Sequence, residues 1–433
     1  KARWRTMLLS GDRGLLSRLK SWVDSVQLVD VHSHINGERP AAEDPKEIVF
    51  YHYIVTELMS AGAPAEAFSE DLSFEETIKR TLPHFKMIRN TSTHWCLMKM
   101  LRDLYGFEGE EINSENWKDL RDVIISRTRE RDWYRQILAE KIRLRKGFLT
   151  FRYDEEIPKY DPDFYVGALR IEPLISRLDR SDIEGLEMAV NTSIESIDDF
   201  EEAFSLLLKN FSNCVAVTAS VLPEERFVEP SKARAEEPFK KRLSGSELSA
   251  SEMRDVSSFA MNCALSLAEE HGLPFQLMVG VRRPVVGASP PDYAIAGFET
   301  GSLVSLCPLF HRFRDVDFDV FLANRVQSHE LTVIAKNYPN VHVSGYWWYT
   351  FYPDIIKQFL RERLQMLPSN KIGGFFSDAY VVEWTYAKAS MVRLQLAQVL
   401  AGMVEEGYYT EEMAKSLAVD LLRRNPEKLY KLK

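Results

Sequence analysis

Short apolar segments alternate with amphipathic stretches along most of the chain. The stretches between the apolar segments place hydrophobic residues at the 3.6-residue spacing of a helix with one buried face, as in SSFAMNCALSLAEEHG and PDIIKQFLRERLQML. This alternation is typical of the β–α units that build a parallel sheet. Eight such units predict a (β/α)8 TIM barrel, of class α/β. The predicted strands are residues 27–34, 146–154, 165–174, 214–221, 274–282, 318–324, 340–348 and 371–380.

Two insertions interrupt the repeat. Residues 40–145 lie between the first two strands and have a helical pattern throughout, with a capping box from Ser73 to Glu76. Residues 226–254 are polar and charged and follow the fourth strand, at the end of the barrel where active sites lie, so they are predicted to act as a helical lid. The predicted units are residues 1–39 (N-terminal helix and first strand), 40–145 (helical insertion) and 146–433 (remainder of the barrel).

Charge and composition restrict the partners. The chain of 433 residues has a formal net charge of −9, which disfavours a polyanion such as nucleic acid. It contains no run of about 18 apolar residues and no secretory signal pattern, so we expect no membrane segment. Its four cysteines are far apart and form no CxxC pair, which predicts neither a zinc ribbon nor a disulfide framework and fits a cytoplasmic location. A homo-oligomer is left open.

The first predicted strand ends in a pair of histidines, within VDVHSHING. Because side chains alternate along a strand, His32 and His34 share a face. Asp378 ends the eighth predicted strand, which neighbours the first once a barrel closes. Two imidazoles and a carboxylate can hold one divalent cation with open positions for water or substrate. The alternatives are that the histidine pair is incidental and that Asp378 caps the following helix.

Several sequence blocks resemble the uronate isomerase family of the amidohydrolase superfamily. The resemblance runs from about residue 25 to the C-terminus, with the blocks in the order that the family has. The blocks are DVHSH, YHYIVTELMSAG, NTSTHWCLMKMLRDLYGF, RFVEPSKARAEEPFKKRLSGSEL, FQLMVGVRR, HVSGYWWYTF and FFSDAY. The resemblance implies an aldose–ketose isomerisation of a hexuronate, of the glucuronate to fructuronate type.

That reaction needs a base to move a proton from C2 to C1, a group to move the hydroxyl proton, and a means of steadying the enediolate. By resemblance, Asp378 is the candidate base and Tyr53 its partner for hydroxyl proton transfer. One divalent metal ion, expected to be zinc, would bind His32, His34 and Asp378 and polarise substrate oxygens.

Other residues are assigned to the substrate, a small-molecule sugar acid. Arg170 and Arg283 would hold its carboxylate in a bidentate manner, although both are also suited to surface ion pairs. His52, next to Tyr53, would lie at the barrel mouth, where either residue has packing as its alternative role. Trp347 and Trp348 would wall the pocket; adjacent residues of a strand point to opposite faces, so only one is expected to line it while the other packs against a helix.

Three departures from the family pattern bear on activity. Met278 stands on the fifth strand where the family has a metal-binding histidine, and methionine is a poor ligand for a hard cation. The fourth strand ends with Ser and Thr in place of an Asp–His pair. Tyr380, assigned to the substrate side, stands where the family has an arginine, which changes the charge of the pocket by one unit. The metal is therefore expected to be held weakly.

Two other functions are compatible with these residues. The first is a hydrolase of the same superfamily, acting on a lactone, ester or amide, with Asp378 handling the proton. The second is a non-catalytic paralogue that binds a sugar acid. No GxSxG, P-loop, GxGxxG or HExxH motif is present, which removes common nucleotide-binding and serine-hydrolase alternatives.

Overall fold

Eight parallel strands form a sheet in which each strand pairs with the one before it in the chain. The structure, a computed structural model, describes residues 13–290 and 292–433. The first twelve residues of the predicted unit 1–39 lie outside this range. The strands are β1 (Leu28–Ser33), β2 (Leu144–Arg152), β3 (Tyr165–Arg170), β4 (Cys214–Val221), β5 (Phe275–Val279), β6 (Phe318–Leu322), β7 (Val341–Ser344) and β8 (Ile372–Gly373).

Backbone hydrogen bonds join β1 to the chain that follows β8. The amide of Asp378 donates to the carbonyl of His32 at 3.0 Å, and the amide of His34 donates to the carbonyl of Ala379 at 2.8 Å. These bonds connect the two edges of the sheet, as a barrel requires. The predicted (β/α)8 fold is confirmed.

The last two strands are shorter than predicted. β7 ends at Ser344 because Gly345 adopts a left-handed φ of 57°, at a point where a Cβ would lie 2.3 Å from the side chain of Phe376. β8 ends at Gly373, and the chain then runs irregularly along β1 as far as Asp378, which itself has a φ of 52°. The predicted strand 371–380 is therefore mostly a loop that follows a two-residue strand.

Helices cover the outside of the sheet. The longest lies near the C-terminus, is buried over most of its residues, and packs against the first helix and against the insertion. Helices α2 to α7 belong to the insertion and are given in the next paragraph. The other helices are α1 (Arg13–Ser25), α8 (Arg180–Val190), α9 (Ile197–Asn210), α10 (Lys232–Leu243), α11 (Ala250–Glu270), α12 (Cys307–Arg312), α13 (Ser328–Asn337), α14 (Pro353–Met366), α15 (Val382–Glu405), α16 (Glu411–Val419) and α17 (Asn425–Leu429).

The chain between β1 and β2 is helical. A buried carboxylate ties it to the barrel: Glu383 on α15 accepts hydrogen bonds from the Tyr105 hydroxyl at 3.2 Å, the Trp133 indole at 3.1 Å and the Ala42 amide at 3.1 Å. The boundaries of this unit, 40–145, stay a prediction. Its helices are α2 (Pro45–Val49), α3 (His52–Ser60), α4 (Phe74–Ile88), α5 (Ser92–Tyr105), α6 (Trp117–Thr128) and α7 (Trp133–Gln136), the last continuing as a π-helical turn over Ile137–Ile142.

The segment 226–254 lies against neighbouring helices on the outside of the barrel. Phe239 of α10 is fully buried, and its ring centroid lies 5.1 Å from that of Phe200 on α9. None of the residues 226–254 lines either of the cavities described below. The apolar face of α10 is used in this packing, and the role of the segment as a lid stays a prediction.

A loop beyond β5 reaches the barrel mouth. Residues 281–282 and 295–296 pair antiparallel at its base, and the Tyr349 hydroxyl donates to the carbonyl of Ala294 at 2.6 Å. The loop carries Arg283 and Asp292.

Within residues 13–290 and 292–433, no helix is long and apolar enough to cross a membrane.

Candidate active site

A cavity of about 210 Å³ lies at the C-terminal ends of the strands. This is the end of a (β/α)8 barrel at which active sites are built, and the volume suits a small ligand. Every residue assigned to the site from the sequence lines it, while the role of each stays a prediction. The lining residues are His32, His34, His52, Tyr53, Arg170, Glu172, Thr218, Ser220, Met278, Arg283, Asp292, Trp347, Trp348, Asp378 and Tyr380.

Three of these side chains form a group that can hold a metal ion. The Nε2 of His34 lies 3.2 Å from Asp378 Oδ1, and the Nε2 of His32 lies 3.8 Å from the same oxygen. Each residue offers one donor atom, and the three donors lie within 4.8 Å of one another. Two imidazoles and a carboxylate suit zinc or another divalent ion that also accepts water as a ligand.

The hydrogen bonds of His34 determine which of its nitrogens carries the proton. Thr150 Oγ1 donates to the Ser33 carbonyl at 2.9 Å and also lies 3.1 Å from Nδ1 of His34. Because the hydroxyl proton of Thr150 is already used, the Nδ1–H of His34 is the donor in the second contact. Nε2 of His34 then faces Asp378, the arrangement of a metal-binding histidine oriented by a second partner.

His32 supplies the second observation that fits a cation. Its Nε2 is buried and has no hydrogen-bond partner, and its ring stacks on Phe376 with centroids 4.7 Å apart. Burial lowers the pKa of His32 to about 3, so the imidazole is neutral. A divalent cation would supply the partner that this buried, neutral nitrogen beside a carboxylate does not have.

Asp378 is held in a constrained backbone conformation. Its φ of 52° is rare for a residue other than glycine, and such strain is retained only where the surroundings impose it. The Tyr51 hydroxyl donates to its carbonyl at 3.0 Å, and Lys388 Nζ donates to the preceding carbonyl, that of Ser377, at 2.7 Å. Burial alone would raise the pKa of Asp378, but His34 and Lys388 outweigh burial and hold this pKa below its usual range. The carboxylate is therefore ionised.

Tyr53 lies on the other side of that carboxylate. Its hydroxyl donates to Asp378 Oδ2 at 3.4 Å, whereas the two histidines face Oδ1. Burial, followed by the charge of Asp378, raises the pKa of Tyr53 well above its ordinary value, so the hydroxyl keeps its proton. The neighbouring His52 is also neutral, because burial lowers its pKa to about 3.

The two arginines enter the cavity from different elements. Arg170 ends β3 and forms an ion pair with Glu172, with 2.5 Å between Nε and Oε1. Arg283 follows the short pairing beyond β5, and its charge acts on Asp292, whose pKa is nonetheless raised by burial. Glu172 and Asp292 were not predicted. Glu172 could have been inferred from its place two residues beyond Arg170, while no periodic pattern marks Asp292.

Both tryptophans line the cavity, which corrects the prediction that only one would. The strand has already ended at Ser344, and Trp348 has a φ of 48°, so the alternation of a strand does not apply to them. Trp347 is buried, and Trp348 stacks on Tyr349 with ring centroids 5.0 Å apart. The Trp348 ring also lies beside that of Tyr53 on α3, with centroids 6.5 Å apart, so the expectation that one tryptophan packs against a helix stays a prediction.

The departures from the family pattern are located at the cavity itself. Met278 lines it from β5, and its sulfur lies 4.0 Å from the hydroxyl of Thr218 on β4. Tyr380 stacks on His34 with centroids 5.2 Å apart and is 49% exposed. Among the described residues, only His32, His34 and Asp378 form a group of three or more metal-ligating side chains.

The formal charges of the lining residues almost balance. Two guanidinium groups, those of Arg170 and Arg283, face three carboxylates, those of Glu172, Asp292 and Asp378. A divalent cation would reverse the sign of the net charge and make the cavity attractive to an anion.

The fold and this cavity define a (β/α)8-barrel protein with a group of side chains at its strand ends that can hold a metal ion. No protein-family model matches the chain. It is 22% identical over 448 aligned residues to the uronate isomerase of Thermotoga neapolitana, covering 95% of this chain and 96% of that protein. The chain is a divergent homologue of the uronate isomerases, as the sequence blocks predicted.

Solved structures show the same fold. The uronate isomerase of Thermotoga maritima superimposes with a TM-score of 0.87 at 18% identity, over 96% of this chain and 97% of that one. The glucuronate isomerase of Caulobacter crescentus gives a TM-score of 0.86 at 19% identity, over 98% and 95% of the two chains. A protein of Lactobacillus casei assigned as a metal-dependent hydrolase gives a lower TM-score of 0.60 at 13% identity, over 95% and 97%.

Proposed function

We propose that the protein is a hexuronate isomerase, which interconverts an aldose of the glucuronate type and the corresponding ketose by moving a proton from C2 to C1 through an enediolate. The observation that carries this proposal is the pair formed by Tyr53 and Asp378 at 3.4 Å, in a cavity that also contains two arginines. Homology to proteins named uronate isomerases over 95% of the chain supports it.

The two oxygens of Asp378 have different surroundings. Oδ1 faces His32 and His34, while Oδ2 faces the Tyr53 hydroxyl. In the proposed reaction the ionised carboxylate takes the proton from C2 and returns it to C1. Tyr53, which keeps its proton at neutral pH, is suited to move a proton between the oxygens on C1 and C2.

The residues present fit a divalent cation, which we propose to be zinc. His32, His34 and Asp378 would hold it, and the unpaired Nε2 of His32 supports this assignment. When bound, the ion would supply Lewis-acid polarisation of the carbonyl and hydroxyl oxygens of the sugar. With Met278 in place of a fourth protein ligand, we expect the ion to be held weakly.

The remaining side chains are assigned to binding. Arg170 and Arg283 would hold the substrate carboxylate, with Glu172 orienting the guanidinium of Arg170. Trp347 and Trp348 would cover the sugar and exclude water, which strengthens the electrostatic interactions within the cavity. His52 and Tyr380 would complete its rim.

The setting of the enzyme forms part of the proposal. The described cysteines are all free, which fits the reduced conditions of the cytoplasm. We propose a small-molecule sugar acid as its partner and, from the net charge of −9, no binding to nucleic acid. Light scattering coupled to gel filtration would determine whether the chain forms a homo-oligomer.

The direct test is to incubate the purified protein with glucuronate or galacturonate, with and without added Zn²⁺ or Mn²⁺, and to measure ketose formation. We expect ketose with at least one of the two acids and its loss in Asp378→Asn. Met188→Ala, at a residue 76% exposed, is the control that should keep full activity. Failure of the metal-loaded protein to form any ketose, together with hydrolysis of a lactone, ester or amide, would support a hydrolase instead.

A further inference from the structure

A second cavity, of about 340 Å³, adjoins the first. The two share three lining residues, which are Tyr53, Asp292 and Trp348. The rings of Tyr53 and Trp348 stand between the cavities, nearly parallel and with centroids 6.5 Å apart. Because the two cavities share these side chains, a substituent on a ligand in the first cavity has to pass the edges of the two rings to enter the second.

The lining of the second cavity combines aromatic faces with hydroxyl groups. Tyr349, Phe351 and Tyr352 supply the rings, and Thr56, Ser92 and Thr93 supply the hydroxyls. A sugar ring has the matching surface, since its carbon-bound hydrogens form apolar faces and its hydroxyl groups form a polar edge.

The charges of this cavity favour a neutral occupant. Glu57 and Asp292 supply two carboxylates to the lining. The ammonium group of Lys388 also lies there, but it already donates to the Ser377 carbonyl at 2.7 Å and to the Tyr51 hydroxyl at 3.2 Å. An anionic group would face two acidic side chains and a lysine whose hydrogen bonds are already made, so a second carboxylate is disfavoured.

The position of the second cavity determines where a substituent can be attached. Tyr53 is bonded to Asp378, at the end of the first cavity where C1 and C2 react, whereas Asp292 interacts with Arg283, at the end assigned to the substrate carboxylate. Both ends of a bound hexuronate are therefore occupied. A substituent that enters the second cavity must leave from the middle of the sugar, at O3 or O4.

We infer that the substrate is a disaccharide in which the hexuronate forms the reducing end and carries a neutral sugar ring at O3 or O4, with the neutral ring in the second cavity. This inference rests on the proposed isomerase function and specifies its substrate class. The reacting carbons and the proton transfer are unchanged, because the reducing end keeps its free aldehyde.

The test compares kcat/KM for glucuronate, 4-O-glucosyl-glucuronate and 4-O-glucuronosyl-glucuronate, of which the last two differ only in the charge of the second ring. The 3-O-glucosyl isomer is measured alongside. We expect kcat/KM for at least one disaccharide with a neutral second ring to be about tenfold higher than that for glucuronate, because binding of a remote group lowers the barrier. It should also exceed kcat/KM for the doubly charged disaccharide.

Variants separate the second cavity from the first. Thr56→Trp and Ser92→Phe fill the second cavity from two different helices, α3 and α5, and we expect each to lower kcat/KM for the disaccharide about tenfold while leaving that for glucuronate within about twofold. Thr56→Ser, which keeps the hydroxyl and leaves the cavity open, is the matched control and should leave the preference for the disaccharide in place.

The inference is overturned if kcat/KM for glucuronate equals that for both disaccharides with a neutral second ring. It is also overturned if the filling variants lower the activity on glucuronate and on the disaccharides equally. If no sugar is isomerised, the proposed function fails. Calorimetry with the borohydride-reduced forms of the disaccharides that have a neutral second ring then tests the second cavity alone. Binding that Thr56→Trp weakens about tenfold supports a site for a neutral ring there. Absent or unaltered binding contradicts it.

Discussion

The ammonium group of Lys388 donates a hydrogen bond of 2.7 Å to the main-chain carbonyl of Ser377. Lys388 is buried on α15, directly beside the loop that carries Asp378, and its other contacts include the Tyr51 hydroxyl at 3.2 Å. The same tyrosine donates to the Asp378 carbonyl. A buried lysine and tyrosine thus hold the strained backbone on which the candidate catalytic carboxylate depends.

Replacing Lys388 by Met tests this positioning role. The substitution leaves buried carbonyl oxygens without a donor, which costs about 1–3 kcal/mol of stability, and it releases the loop, so we expect kcat to fall about tenfold or more. Lys415→Met, on the surface helix α16, is the control. Urea unfolding and steady-state kinetics give the two measurements. A kcat within twofold of the unaltered protein would remove the positioning role.

Removal of the Tyr53 hydroxyl tests the proton-transfer pair. Tyr53→Phe keeps the ring that separates the two cavities but loses the contact with Asp378 Oδ2, and we expect kcat to fall about a hundredfold or more, as is usual for loss of a general acid–base group. KM should change little, because the ring remains. Tyr160→Phe, away from the cavity, is the control. Unchanged kcat would assign proton transfer to another group.

Restoring a histidine on β5 tests the metal assignment. Met278→His adds an imidazole to a cavity that already contains His32, His34 and Asp378, so we expect Zn²⁺ affinity to rise about tenfold or more. Competition with a chromogenic chelator measures the affinity. Met188→His places a histidine on the surface and should leave the affinity unchanged. Equal affinities of both variants and the original protein would argue against metal binding at this group.

Glu383 should make stability depend on pH. Burial raises its pKa from 4.5 to about 7, so the native state binds this proton more tightly than the unfolded chain does. The resulting stabilisation is complete below about pH 4.5 and is lost as the pH rises through 7. The free energy of unfolding should therefore fall over that interval, by roughly 3 kcal/mol from this group.

The variant Glu383→Gln cannot titrate, so its unfolding free energy should change less between pH 4.5 and 7 than that of the unaltered protein. Glu412→Gln, at an exposed residue, is the control and should retain the original dependence. Chemical denaturation at a series of pH values provides the measurement. Identical pH profiles for Glu383→Gln and the unaltered protein would contradict the assignment.

Periodic patterns in the sequence predicted the barrel and the meeting of His32, His34 and Asp378, whereas other cavity residues, such as Tyr53, were assigned from the resemblance to the uronate isomerases. Apolar strands alternating with amphipathic helices indicate a barrel, and closure of the barrel then brings His32 and His34 to Asp378. The conformations of loops follow no such period. Asp292 and the orientation of Trp348 depend on tertiary contacts and on a left-handed backbone, which the order of residues does not reveal.

The segment 226–254 illustrates a second limit. Its polar, helix-forming pattern was consistent with a lid, but the same pattern also describes a surface helix with a narrow apolar face. The few apolar residues of α10, including Phe239, pack against α9, and the pattern alone did not reveal this contact. The loop at the barrel mouth that accepts the Tyr349 hydrogen bond has no regular pattern, although it carries Asp292 and Arg283.

The hydrogen bonds between His34 and Ala379, and between His32 and Asp378, link residues more than three hundred positions apart. The proposed reaction centre thus spans the junction between the start and the finish of the barrel. A nascent chain released from the ribosome before residue 378, or a fragment cut anywhere in between and separated, would lack one side of this junction. Ketose formation would then report that the entire barrel has been synthesised and joined, and partial products would be catalytically silent.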